Sequence, residues 1–359
     1  MLVIGAGVAG CAAAITARQL HPDLRVRLVA GTDHRPAVGE SIPPDAQPLL
    51  DQLGVAAEFT AAGHEPCLGS ASAWGSSRLG YNDFVTNPYG TGWHLDRPRF
   101  EAMLRRRADA VGVCSVTGTV RELRRAADGF AVTLADGATM TARFVVDATG
   151  ARAAAGRRLG ARHRWYDRLV VASAFLATDP ARRQPRITLL EAAPDGWWYL
   201  AGLPDDRLIV SYASDPDTAR DTGSARWPEW TQQLVETTHV AARLAGCTLL
   251  SERLTSLSAA SRLLDPVAGP GWLAVGDAAA SHDPLSARGI YQALHTGTLA
   301  ATELCAGEAS PERVCTGYAE TVLAEFEEYL ANQRYLYAAE QRYADRPFWA
   351  RRHAAALAA

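Results

Sequence analysis

The chain has 359 residues, 48% hydrophobic and 21% charged, a composition that suits a globular protein with a large core and two interlocked domains. Its 36 basic and 39 acidic residues leave a formal net charge of -3, so no overall basic field is present to hold nucleic acid. No apolar stretch approaches the ~20 residues that span a bilayer, and the chain begins in a strand with no charged leader, so a cytoplasmic location is expected.

Every one of the 36 basic residues is arginine. Without lysine, no Schiff base, lysine general base or lysine-borne haloamine can form on this polypeptide. The six cysteines (Cys11, Cys67, Cys114, Cys247, Cys305, Cys315) show no CxxC spacing and no nearby histidine partners, so neither zinc nor a redox dithiol is suggested.

The strand Leu2-Val3-Ile4 runs into Gly5-Ala6-Gly7-Val8-Ala9-Gly10 and a helix over Cys11 to Leu20. Gly5 allows the tight turn, Gly7 lets the backbone approach a pyrophosphate, and Gly10 lets the helix pack on the strand while its N-terminus faces the phosphates. Alone, this motif indicates a dinucleotide. The next strand, Arg25 to Val29, does not end on the acidic residue that usually takes the adenosine ribose; it runs into Ala30-Gly31-Thr32-Asp33, so Asp33 or backbone groups would hold that ribose.

Val38-Gly39-Glu40-Ser41-Ile42-Pro43-Pro44 is held extended by its prolines, ahead of a short helix over Asp45 to Leu53. Irregular strands are expected from Leu68 to Trp93, a helix from Arg97 to Val111, and strands at Val113 to Leu123 and Phe130 to Leu134. Met140 to Asp147 then returns to the parallel sheet and closes on Asp147-Ala148-Thr149-Gly150. Four strand-like runs (Leu169 to Thr178, Arg186 to Glu191, Trp197 to Leu203, Leu208 to Ala213) predict an antiparallel sheet, followed by a helix over Trp227 to Leu244. The chain re-enters the nucleotide domain at Gly271 to Val275. There a second turn, Gly276-Asp277-Ala278-Ala279, can place a carboxylate on a ribityl hydroxyl and a helix N-terminus near an isoalloxazine ring. Two such turns so far apart point to FAD. Helices over Ile290 to Cys305 and Pro311 to about Tyr343 complete the chain, with Tyr318, Phe326, Tyr329, Tyr335 and Tyr337 mostly as core.

The expected fold is α/β: a Rossmann-like FAD-binding domain (1–67, 97–160 and 266–310) interleaved with an antiparallel-sheet substrate domain (68–96 and 161–265), then a C-terminal helical region (311–359).

The segments GAGVAG, GESIPP, Trp93-His94-Leu95-Asp96-Arg97-Pro98-Arg99-Phe100, VVDATG and GDAAASHDPLSARGI resemble the flavin-dependent monooxygenase superfamily, covering residues 1 to about 305. Within it they look most like the branch of tryptophan halogenases, halogenase-like hydroxylases and flavoproteins that mature tryptophan-derived quinone cofactors. The resemblance implies cofactor contacts at Gly5, Gly7, Ala9, Gly10, Ser41 and Arg97, support of the nucleotide by Asp147 to Gly150, a ribityl-phosphate hold at Gly276 and Asp277, and a flavin-facing segment from Pro284 through Gly289 to Ile290. Three departures stand out: the lysine of halogenases is missing, their Trp-x-Trp-x-x-Pro signature is altered to Gly196-Trp197-Trp198-Tyr199-Leu200-Ala201-Gly202-Leu203-Pro204, and the Asp-Gly pair that senses NAD(P)H is replaced by Asp147-Ala148-Thr149-Gly150. Halogenation is therefore not expected, and a separate flavin reductase is.

The implied reaction is hydroxylation of an electron-rich aromatic, an indole or phenol or a tryptophan within a peptide or protein, through a flavin C4a-hydroperoxide. Reduction of prenyl-type alkenes and flavin binding without turnover, as a maturation factor, are the alternatives. His282 and Glu40 are the acid/base candidates. For each a plainer role stands beside it: a backbone-bonded histidine, and a structural or flavin-contacting carboxylate. His94 and Trp198 are the candidates for the substrate pocket, with packing beside Trp93 the plainer role for His94; Trp197 and Trp198 point to opposite faces of one strand, so at most one can reach the substrate. Asp283 is read as a cap of the turn that follows it.

Overall fold

A computed structural model describes residues 1–31, 40–179, 185–250, 253–305 and 311–357. Leu2–Ile4 pairs in parallel with Arg27–Ala30 on one side and Val145–Asp147 on the other. The sheet extends through Trp272–Ala274 to Ala268–Gly269 at one edge and to Cys114–Thr117 at the other. All of its pairs are parallel except the Ala268–Gly269 edge. Leu2, Val3 and Ile4 are all buried, the continuous apolar run expected of a strand covered on both faces.

The helix Val8–Leu20 lies on this sheet and against the helix Gly289–Cys305. A Cβ at Gly297 would fall 2.4 Å from the Ala9 carbonyl oxygen, so only glycine lets these two backbones meet. The run Met140 to Asp147 is two strands rather than one. Thr139–Ala142 closes a three-stranded antiparallel meander with Val120–Ala126 and Gly129–Leu134, and the chain then turns into the parallel sheet at Val145–Asp147.

The second large sheet has eight strands, with Val170–Ala177, Arg207–Ser214, Gly196–Leu203 and Thr188–Ala193 antiparallel in that order. Gly69–Ala73 joins it parallel to Thr188–Ala193, because two separate excursions of the chain meet there. Thr255–Ser258 also pairs with Val170–Ala177.

The helix expected over Trp227 to Leu244 is broken into Trp227–Val235 and His239–Arg243. The cause is Glu191, buried on a neighbouring strand, whose carboxylate accepts the amides of Thr238 (2.8 Å), His239 (2.9 Å) and Val240 (2.8 Å). That anion starts the second helix where the first would have continued. The final arm is likewise two helices, Pro311–Ala338 and Pro347–Leu357. Between them buried Glu340 accepts the Gly75 amide (2.8 Å) and pairs with Arg342, which ties the connection to the strand-rich region. Tyr318, Phe326, Tyr329 and Tyr337 are core, whereas Tyr335 is exposed. Among the described residues no helix is long and apolar enough to cross a membrane.

Candidate functional site

A cavity of about 400 Å³ lies between the ends of the parallel strands and the inner face of the large sheet. The first glycine turn forms one end. Gly5 (φ 116°) makes the turn that L side chains resist, and a Cβ there would sit 2.1 Å from the Ala148 carbonyl oxygen. A Cβ at Gly10 would sit 1.9 Å from the Gly5 carbonyl oxygen, so both positions close the backbone on itself and neither lines the cavity. Gly7 does line it, and a Cβ there would meet nothing within 4 Å. The same open space lies beside Gly150 and Gly289, which also line the cavity. Gly7 is the N-cap of the helix Val8–Leu20, with no side-chain cap and no acidic residue in the first turn. Its free amides therefore face the cavity as an anion site.

The second turn packs against the first. Gly276 lies behind the surface, where a Cβ would be 2.8 Å from that of Ala9, and Asp277 projects into the cavity. The surrounding protein raises the Asp277 carboxyl above its ordinary range, opposed by the charges of Arg97 and Arg262. No long helix starts at this turn. Gly276–Ala278 is a single 3-10 turn, and the helix begins only at Gly289, after the loop Pro284–Ser286 and Ala287, whose φ of 50° is strained for a residue with a side chain. Pro284, Gly289 and Ile290 line the cavity from this segment, and Ala9, Ser41, Arg97 and Glu40 line it as well. Arg97, at the first turn of the helix Arg97–Ala110, pairs with Glu101 at 2.9 Å.

Three expected residues take other roles. Asp147 is fully buried, and its carboxylate is taken up inside the protein by the Thr149 amide (2.9 Å) and hydroxyl (2.6 Å) and the Gly156 amide (2.7 Å). It braces the loop that carries Gly150 and does not reach the cavity. His94 is fully buried in the strand Gly92–His94, bonds the Thr188 hydroxyl at 2.9 Å and does not line the cavity; burial lowers it to about 4. Trp198 faces away from the cavity, packed on Trp230 and Tyr212, because the helix Trp227–Val235 covers that face of the sheet. Trp197 faces inward instead. Asp33 lies outside the described residues.

The inward face follows the two-residue period of the strands. Leu257, Val171, Ala213 and Trp197 lie side by side across four strands, and Ser211 and Tyr199 form the next row. The Tyr199 hydroxyl meets that of Ser41 at 2.7 Å, linking this wall to the Glu40 loop. The result is an apolar, aromatic floor beside a polar cradle, the composition of a small-molecule site.

His282 and Asp283 stand where the two parts join. His282 stacks edge-on against Tyr329 and Phe326, and its Nδ1 has no protein partner among the described residues. Burial, aided by Arg288, lowers it to about 4, so it is neutral at pH 7. Asp283 does cap its turn, accepting the Leu285 amide at 2.9 Å, but it also accepts from the Tyr337 hydroxyl (2.7 Å) and from Gln333 (3.1 Å). Burial, then the nearby Asp167, raise it to about 6. The Trp197 indole donates to the same Tyr337 oxygen at 3.0 Å, so Asp283 and Tyr337 fix the orientation of a cavity-wall tryptophan. Nothing in the sequence pattern could bring Tyr337 here; only the tertiary path of the C-terminal helix does.

These residues therefore fit an elongated, anionic nucleotide with a flat ring. Three glycines leave empty space where a Cβ would project, a bare helix N-terminus stands at one end, and an acid and an arginine flank the middle.

The sequence profile of the tryptophan halogenase family matches residues 73–359. LodB of Marinomonas mediterranea, described as an FAD-dependent oxidoreductase, is 27% identical over 98% of this chain and 96% of its own length. A menaquinone reductase of Mycolicibacterium smegmatis is 28% identical over 86% of this chain and 76% of its own. Among solved structures, the myxobacterial chondrochloren halogenase CndH superposes with a TM-score of 0.88 at 23% identity, over 98% of this chain and 85% of its own, which shows a shared fold. The peptidyl tryptophan dihydroxylase QhpG superposes with a TM-score of 0.76 at 25% identity, over 98% of this chain and 77% of its own.

Proposed function

The chain belongs to the tryptophan halogenase family and is an FAD-dependent enzyme, and we propose that it is a monooxygenase hydroxylating an electron-rich aromatic, an indole or phenol, free or as tryptophan within a peptide or protein. The observation that carries this reading is one cavity joining a nucleotide cradle to an aromatic floor, in a chain with no lysine to carry halogen. The likeness to QhpG, a peptidyl tryptophan dihydroxylase, supports the substrate class.

In this reading the amides at Gly7 to Ala9 would hold the diphosphate, Asp277 and Arg97 the middle of the cofactor, and Pro284, Gly289 and Ile290 its ring. Reduced flavin supplies activated oxygen when bound. The protein positions the acceptor ring on Trp197 and Tyr199 and keeps water from it. Neutral His282 would take the proton that the aromatic releases, and Glu40 would be a second acid/base group or a flavin-contacting carboxylate. Electrons would come from a separate flavin reductase.

The test is product identity. Supplied with FAD, NADH and a flavin reductase in air, with bromide present, the protein should add oxygen and no bromine to indole, a phenol or a tryptophan-containing peptide. NADH without the reductase should give no product. A brominated product would contradict the reading. Turnover of menaquinone without oxygen would favour reduction instead, a second reading supported by the menaquinone reductase relative.

A further inference from the structure

A second concavity, of about 690 Å³, runs between Trp165–Arg168, the start of the helix Pro216–Asp221 and the C-terminal helices. Its three acids are already satisfied. Asp215 pairs with Arg351 (3.0 Å) and Arg352 (2.8 Å), Asp217 pairs with Arg351, and Asp167 accepts from the Leu169 amide (3.1 Å), the Ser261 amide (3.0 Å) and Gln333 (3.2 Å). Arg168, Arg220 and Arg334 also line the groove, and no carboxylate pairs with them among the described residues. A chain of net charge -3 thus presents a local surplus of positive charge. Two rings, Trp165 (53% exposed) and Tyr166 (40% exposed), lie open among these arginines.

Pro216 and Arg220 border a further pocket as well, of about 370 Å³. Val170, Ala172 and Ala219 make it apolar, and it contains the buried Ser224, whose hydroxyl has no partner among the described residues. A small anion would satisfy the arginines and leave this pocket empty. An extended chain with carboxylates and one apolar side chain fills both.

We propose that this composite groove docks an acidic segment of a partner polypeptide, with an apolar side chain of that segment seated in the pocket beside Ser224. Tyr337 forms part of the groove and bonds Trp197 and Asp283 of the cavity, so the docked segment lies against the back of the cavity wall. The docking goes beyond the oxygen-transfer reading and is measured as binding, so either can fail without the other.

The experiment is fluorescence anisotropy at low salt with the full chain and three fluorescein-labelled peptides: a Glu/Gly peptide with a central Leu, its Leu→Gly form, and its Glu→Lys form. The acidic Leu peptide should bind, the lysine form should not, and the Leu→Gly form should bind more weakly. Arg168 and Arg220 are exposed, so R168E/R220E should keep its melting temperature and lose about tenfold or more in affinity for the acidic peptide. Ala225 is exposed at the pocket, and Ala225→Trp should reduce the Leu peptide to the level of its Leu→Gly form. Equal binding of the acidic and lysine peptides, no binding of either, or an unchanged affinity in R168E/R220E would overturn the proposal. Equal binding of the Leu and Gly forms would overturn the seating in the pocket.

Discussion

His94 and His282 are both kept neutral by dry surroundings, yet only His282 faces the cavity. For His94 the consequence is stability. Its folded value of about 4 lies below the ordinary 6.5, so an unfolded chain takes up a proton below pH 6.5 that the folded protein refuses until about pH 4. The stability is whole above pH 6.5 and falls across that window, approaching a loss of about 3 kcal/mol at 1.36 kcal/mol per unit. Chemical denaturation at pH 7 and pH 4.5 should show this loss, and His94→Gln, which can still bond Thr188, should show a smaller one; an identical pH dependence in the variant would remove His94 as a cause. The sequence offers His94 for the pocket, with packing beside Trp93 as its plainer role. It could not reveal that Thr188, far along the chain, supplies a partner that holds the ring inside the core.

The elements that a local pattern specifies were legible: the glycine turn after Leu2–Ile4, the helix Arg97–Ala110 with Phe100, Met103, Leu104 and Ala108 inward, and the strands of the large sheet. What escaped was set by distant partners. Alternation along Gly196–Leu203 requires Trp197 and Trp198 to diverge, but which one faces the cavity depends on where the helix Trp227–Val235 packs. That helix is itself cut short by Glu191, a residue outside it. The two tryptophans should respond differently to the same change. Trp198→Phe should lower thermal stability and leave kcat/KM for hydroxylation unchanged. Trp197→Phe, which removes the hydrogen bond to Tyr337, should lower kcat/KM by about tenfold. A fall in kcat/KM with Trp198→Phe alone would place the substrate on the other face of the sheet.

At the scale of the molecule, the parallel sheet and the large sheet meet at one cavity, while the helix Pro311–Ala338 braces Asp283 at their junction through Tyr329, Gln333 and Tyr337. The FAD reading rests on two turns far apart in sequence, Gly5 to Gly10 and Gly276-Asp277, and the fold brings them into contact at one cavity. The absence of lysine is equally a property of the whole chain, and it bears on what the oxygen chemistry can deliver. The most direct measurement of that chemistry is turnover under ¹⁸O₂ with reduced FAD and an indole, phenol or tryptophan-peptide acceptor, read by mass spectrometry. Oxygen transfer predicts one ¹⁸O atom in the aromatic product. A product labelled only from water, or one formed equally well without oxygen, would contradict it.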